Sequence, residues 1–254
     1  MPLLTDRAVI RALLETDRRW AVYALGDLAP EHAPYAEWRV TAEHTALILL
    51  YRRFGLTVLF TLGAPGAVRS LLDDVSEREL YLLVTPEILP LIKARYTVSH
   101  ELAMWRMTIQ PARFQPMPAE SVTRLGPADV PALEALFADG QSIGEAPDFF
   151  FPALVAEGIY YGVWEGSGLI AAAGTHLISP ALGVGAIGNV YTRRDWRGRG
   201  LGRQVTSAMT AELLRLNLPT VALNVKQDNL AAQRVYERLG FRRYCAFYEG
   251  IATR

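Results

Sequence analysis

The stretch Arg197-Gly198-Arg199-Gly200-Leu201-Gly202 constrains this chain more than any other. It follows the apolar run Ala186-Ile187-Gly188-Asn189-Val190-Tyr191-Thr192, which reads as a strand, and it opens an amphipathic helix predicted to reach about Asn217. Glycine lets a backbone approach a ligand closely, and a helix N-terminus offers unpaired N–H groups at the positive end of its dipole. Arg197, Arg199 and Arg203 add charge to that end. A strand, a Gly-Arg loop and a helix in that order predict a pyrophosphate cradle, with backbone N–H groups from Gly198 to Arg203 as the donors.

Two common nucleotide loops do not fit. A P-loop needs G-x-x-x-x-G-K-[ST], and no Lys follows Gly202. A dinucleotide loop needs G-x-G-x-x-G, whereas Gly198, Gly200 and Gly202 alternate. What stands is R-x-x-G-x-G, from Arg197 through Gly200 to Gly202. Downstream, Val221-Ala222-Leu223-Asn224-Val225 reads as a buried strand. After it come Asn229, Ala232, Tyr236, Gly240 and Phe241 in the spacing N-x-x-A-x-x-x-Y-x-x-x-G-F. Asp228 or Asn229 supplies a helix N-cap, Leu230, Val235 and Leu239 the apolar positions, and Gly240 the stop. The two motifs, in this order, resemble the signatures of the GNAT superfamily of N-acetyltransferases, over residues from about 121 to 251.

The resemblance implies a fold, a co-substrate and roles. The fold class is α/β (an α+β mixed sheet), with a GNAT fold in the C-terminal half and a degenerate GNAT-like half before it. Acetyl-coenzyme A would be the co-substrate and no metal would be needed. The activity would be acyl-coenzyme A-dependent transfer of an acetyl group to a primary amine of a small molecule or peptide. Its pantetheine arm would pair with main-chain groups of Val190 and Thr192, as an added strand does, while Tyr191 points to the other face. Tyr236 would donate its proton as the thiolate leaves, and the plain alternative is a core aromatic. Asn229 would bond the cofactor or a water, or simply cap its helix; both roles are compatible.

Many members carry a glutamate on the strand before the loop, and here that strand holds Gly188 and Asn189 instead. The candidates for accepting the amine proton are then His176 on the preceding strand, Glu145 and Asp148 in the loop between the first two helices, or a water chain. A loop-strand N–H would hold the oxyanion. A non-catalytic acyl-coenzyme A sensing module is the alternative function.

Composition bounds the rest. Net charge is zero, lysines occur only at 93 and 226, and no basic-aromatic interleaving is present, so neither nucleic acid nor an acidic membrane surface is an expected partner. A single cysteine, Cys245, excludes an internal disulfide and fits a cytoplasmic protein, as does an N-terminus without a signal-peptide pattern. The assembly is expected to be a monomer or homodimer.

The three prolines of Gln110–Pro118 predict an extended linker. It would join residues 1–110, a degenerate half, to residues 121–254, the catalytic half, with 111–120 between them. In the first half Thr5 is read as capping a helix to about Thr16. Strands are expected at Ala36–Thr41, Thr45–Tyr51, Leu56–Thr61 and Leu80–Val84, with a closing pair within Tyr96–Ile109. At the loop position stands Gly63-Ala64-Pro65-Gly66-Ala67, where Pro65 removes an N–H. The second half reads β-α-α-β-β-β-α-β-α-β-β. Architecturally the tandem plan resembles the glycine N-acyltransferase-like branch.

Overall fold

The computed structural model describes residues 5–141, 144–147 and 149–254. Along the chain come α1 (Arg7–Glu15), α2 (Val22–Asp27), β1 (Ala36–Val40), β2 (Leu47–Arg53), β3 (Leu56–Leu62) and α3 (Pro65–Leu72). There follow β4 (Glu79–Val84), α4 (Leu89–Lys93), β5 (Thr97–Ile109), β6 (Val122–Leu125), α5 (Val130–Gln141) and α6 (Ala153–Glu157). The last elements are β7 (Tyr160–Glu165), β8 (Gly168–Ser179), β9 (Val184–Thr192), α7 (Leu201–Arg215), β10 (Thr220–Lys226), α8 (Leu230–Leu239) and β11 (Arg242–Thr253). Contacts divide the chain into two compact units. One holds Met1–Arg106, Val225–Asp228 and Arg243–Arg254; the other holds Met107–Asn224 and Asn229–Arg242.

In the first unit the strand order is β1-β2-β3-β4-β11-β5. β1, β2 and β3 form an antiparallel meander, and β3 then runs parallel to β4 through the crossover helix α3. A core of Ile48, Leu50, Leu59, Val68, Leu71, Leu82 and Ile92 fills the space beneath these helices. The expected closing pair within Tyr96–Ile109 is a single long strand, β5. Its pattern breaks because His100 adopts a left-handed φ of 51°, a bulge in mid-strand. Gly250 of β11 lies against that bulge, where an added Cβ would stand 3.2 Å from the Ser99 carbonyl. The final strands expected near Arg242–Ile251 are likewise one, β11, antiparallel to β4 from Tyr248–Val84 to Thr253–Glu79.

In the second unit the order is β10-β9-β8-β7-β6. The β7–β8 hairpin turns at Gly166-Ser167, and β8 pairs antiparallel with β9 through two register shifts. β9 then runs parallel to β10 through the crossover helix α7. Leu125, Leu133, Leu136, Phe137, Val155, Tyr160 and Tyr191 form a core under α5 and α6. β9 spans Val184–Thr192, taking in the run 186–192 read as a strand, and α6 begins at Ala153. Among the described residues no helix is long and apolar enough to cross a membrane.

The cap of α1 is Asp6 rather than Thr5. Its carboxylate accepts from the Ala8 N–H at 2.9 Å and the Val9 N–H at 3.3 Å. Asp6→Ala should therefore lower stability by about 1 kcal/mol, and Thr5→Ala should leave it unchanged. Denaturant unfolding of both variants measures the difference.

Candidate active site

Parallel pairing of β9 with β10 runs from Val184–Thr220 to Ile187–Leu223 and goes no further. Two residues on, Asn189 takes a left-handed φ of 51° and kinks β9. Beyond the kink, Tyr191 and Thr192 still pair with Ala172 and Ala171 of β8. The opposite edge of Val190–Thr192, facing away from β8, is thus open for main-chain bonds to an extended ligand. Tyr191 points into the core, and its hydroxyl donates to Asp139 at 2.8 Å.

The loop from Arg193 to Gly200 leads into α7. Gly198 and Gly200 have φ of 79° and 81°, a left-handed backbone that L side chains rarely adopt, and Gly200 caps α7 without any side-chain acceptor. The first amides of α7 at Leu201, Gly202 and Arg203 consequently have no helical partner. No acid occupies the first turn. Gly202 brings this turn close to β9, since a Cβ there would lie 3.2 Å from Thr192 Oγ1. Amides, dipole and left-handed glycines together fit a phosphate pair, as a concave nest of N–H groups requires.

The arginines divide their work. Arg197 donates to the Thr192 carbonyl at 3.2 Å, pairs with Glu145 at 2.6 Å and stacks over the Tyr191 ring. Arg199 lies 4.3 Å over the Trp196 ring. Arg203 is half-buried, and its Nε has no hydrogen-bond partner among the described residues. Arg193 pairs with Asp195, and Arg194 with Asp139. Asp139 was missed in the sequence. It accepts from Tyr191 and from the Arg194 N–H at 3.1 Å, so one carboxylate ties α5, β9 and the loop together.

On α8, Gln233, Tyr236 and Leu239 face inward. Tyr236 packs edge-to-face against Phe241 with centroids 6.2 Å apart, and its hydroxyl makes no hydrogen bond among the described residues. Burial pushes its pKa up, so it is a phenol at neutral pH. Asn229 is exposed and caps α8, its Oδ1 accepting from the Ala232 N–H at 3.0 Å. Gly240 ends the helix with φ of 103°.

The proton-acceptor candidates separate clearly. Glu145 is engaged by Arg197, and Asp148 lies outside the described residues. His176 on β8 packs its ring against Gly188, where an added Cβ would sit only 2.3 Å from Nε2. Its Nε2 is 3.1 Å from Asn189 Oδ1, and Asn189 Nδ2 donates to the Tyr160 hydroxyl at 2.7 Å. Burial pushes Tyr160 up to about 12, so it too stays protonated. Asn189 and Tyr160 were not expected from the sequence; a polar residue inside the apolar run 184–191 was the available signal.

Residues 160–248 match the family model described as FR47-like protein. A mycothiol acetyltransferase of Geodermatophilus obscurus is 37% identical over 111 residues, covering 42% of this chain and 34% of that one. The chain spans about a third of the length of the curated relatives it matches first. Among solved structures, a protein of Novosphingobium aromaticivorans described as an acetyltransferase from the GNAT family superposes with a TM-score of 0.59. It is 24% identical and covers 77% of this chain and 84% of its own.

The chain has the GNAT fold. A tandem GNAT protein from the clavulanic acid biosynthesis pathway superposes over 99% of this chain and 97% of its own, with a TM-score of 0.58 and 17% identity. The FR47-like segment begins at β7 and ends in β11, so it contains the loop, α7, Asn229 and Tyr236.

Hydrogen bonds hold the Asp139 carboxyl below the usual carboxylate range, the Arg194 N–H first and the Tyr191 hydroxyl next. Its value in the folded protein lies below that of the unfolded chain, so its stabilising effect is present at neutral pH and fades as pH falls through the depressed value. Acidification below about pH 4 should loosen the loop. The Arg194 amide resonance followed against pH should report this, and Asp139→Asn should flatten the titration.

Proposed function

We propose that this chain is an acetyl-coenzyme A-dependent N-acetyltransferase acting on a primary amine of a small molecule, with a peptide amine as the second acceptor class. The observation that carries the proposal is the left-handed Gly198–Gly200 turn opening α7 beside the free edge of β9. The acetyltransferase names of the relatives support the same chemistry. Bound there, acetyl-coenzyme A supplies the activated thioester.

The residues then have distinct tasks. Amides of Gly198–Arg203 hold the pyrophosphate, with Arg197, Arg199 and Arg203 adding charge. Main-chain groups of Val190, Tyr191 and Thr192 align the arm, and the exposed Asn229 beside Ala232 closes the other side. Tyr236 donates a hydrogen bond to the sulfur as negative charge develops there; its raised pKa favours donation over complete proton transfer. For the amine proton the candidates are His176, whose Nε2 lies against Asn189 Oδ1, and Glu145, which is paired with Arg197.

The proposal extends to the layout. Residues 1–110 form a GNAT-like half without a phosphate loop and residues 121–254 the catalytic half, joined by 111–120. The tandem GNAT protein supports this plan, as does α3, which begins at Pro65 after an Ala64 cap that offers no side-chain acceptor. The resemblance to the glycine N-acyltransferase-like branch, a cytoplasmic location and a monomeric or homodimeric state belong to the same proposal. A non-catalytic sensor is less favoured, because the Tyr236 hydroxyl is left without a partner among the described residues.

Calorimetric titration with acetyl-coenzyme A, with NADH as control, tests the reading. Micromolar binding of the coenzyme alone, about −8 kcal/mol, is expected. Gly200→Val should abolish it while the fold persists, and unchanged affinity would remove the loop assignment. Tyr236→Phe should lower kcat about 100-fold with coenzyme affinity kept. His176→Gln should lower kcat at neutral pH with coenzyme affinity kept.

A further inference from the structure

The first unit contains the same local arrangement as the second: a parallel strand pair, β3 and β4, joined by a crossover helix, α3. This pair also stops short, at Phe60–Leu83. Past that point a cavity of ≈ 320 Å³ opens at the C-terminal ends of the two strands, lined among others by Asp17, Trp20, Thr61, Pro65, Thr85 and Glu87. A crevice of this kind is where ligands of parallel sheets bind. Its electrostatics are the reverse of the Gly-Arg loop. Two carboxylates line it, no arginine or lysine does, and Pro65 removes an amide from the helix start.

We infer that this cavity is a binding site for a small primary ammonium compound. Asp17 is held in place: its Oδ1 accepts from the Trp20 N–H at 3.1 Å and from the Tyr244 hydroxyl at 2.6 Å, and no bond engages Oδ2 among the described residues. Glu87 has no partner among the described residues. Thr61 is 1% exposed, and its hydroxyl has no hydrogen-bond partner among the described residues although it lines the cavity. A buried hydroxyl left unpaired is costly, and a ligand N–H would satisfy it. Its neighbour Trp20 is fixed by donating from Nε1 to the Thr61 carbonyl at 2.9 Å.

Two carboxylates and a hydroxyl suit the three donors of an ammonium. A metal fits less well, since among the described residues no three His, Cys, Asp or Glu side chains cluster. Arg106 stacks on Trp20 but does not line the cavity. The field agrees: Cys245 is pushed up to about 11, chiefly by burial, with Asp17 and Glu87 adding to it against Arg106. This inference stands apart from the acyl-transfer reading and uses none of its residues.

The test is ligand-observed NMR on the full chain at low ionic strength, with n-butylammonium chloride as probe and n-butanol and sodium butyrate as matched neutral and anionic probes. Butylammonium should bind in the millimolar range or tighter and butyrate should not. The double variant Asp17→Asn, Glu87→Gln, which keeps an acceptor oxygen for Trp20 and Tyr244, should weaken butylammonium at least tenfold. Coenzyme A binding measured on the same samples should stay unchanged, so failure of one site is distinguishable from failure of the other. Thr61→Val should raise Tm while weakening butylammonium. Equal binding of butanol and butylammonium, or an amine affinity unmoved in the double variant, would overturn the inference.

Discussion

Two parallel strands joined by a helix must stop pairing somewhere, and in each unit of this protein they stop before the strands themselves end. The free edge of β9 and the cavity of the first unit lie at those points. At Ile187–Leu223 the break frees the far edge of Val190–Thr192 just before the chain turns into α7. Everything else in the second unit supports that opening. Gly188 gives His176 room against the strand, Asn189 adopts the kink, and Asp139 anchors both Tyr191 and the loop that follows. Around it, α5 and α7 pack on β8 and β9, and α6 on β8.

Polar groups inside this framework are placed with care. His176, Asn189 and Tyr160 form one connected chain beneath the kink, with Asn189 3% exposed. A buried amide of this kind costs about 1–3 kcal/mol when its partners are lost, so the network also fixes the geometry of the kink. Within α7, Thr206 and Thr210 return their hydroxyls to carbonyls one turn back at 2.7 Å, which lets a polar helix face pack without orphaned groups. Ser207 receives the Met117 N–H at 2.8 Å, tying part of the proline-rich stretch to the same helix.

How much of this was legible in the sequence depended on how local each signal was. β9, the loop glycines and the Asn229 and Gly240 boundaries of α8 follow from turn and cap chemistry within a few residues, and they lie where expected. The start of β2 slipped from Thr45 to Leu47 because Thr41 captures the Thr45 and Ala46 amides with its hydroxyl, closing a turn that includes the left-handed His44. The Asp139 clamp joins residues 55 apart in sequence, and no pattern announces such a pairing. The same holds for β5, where one bulged strand imitates two, and for the partner of β11.

That last strand has a consequence for synthesis. β11 lies between β4 and β5 in the first unit, yet every strand of the second unit precedes it in the chain. The facing edges of β4 and β5 therefore stay unfilled until β11 has been made. The sheet of the first unit is closed by a strand that follows the second unit in sequence rather than by its own hairpins. Non-local closure of this kind is slow and leaves strand edges exposed meanwhile.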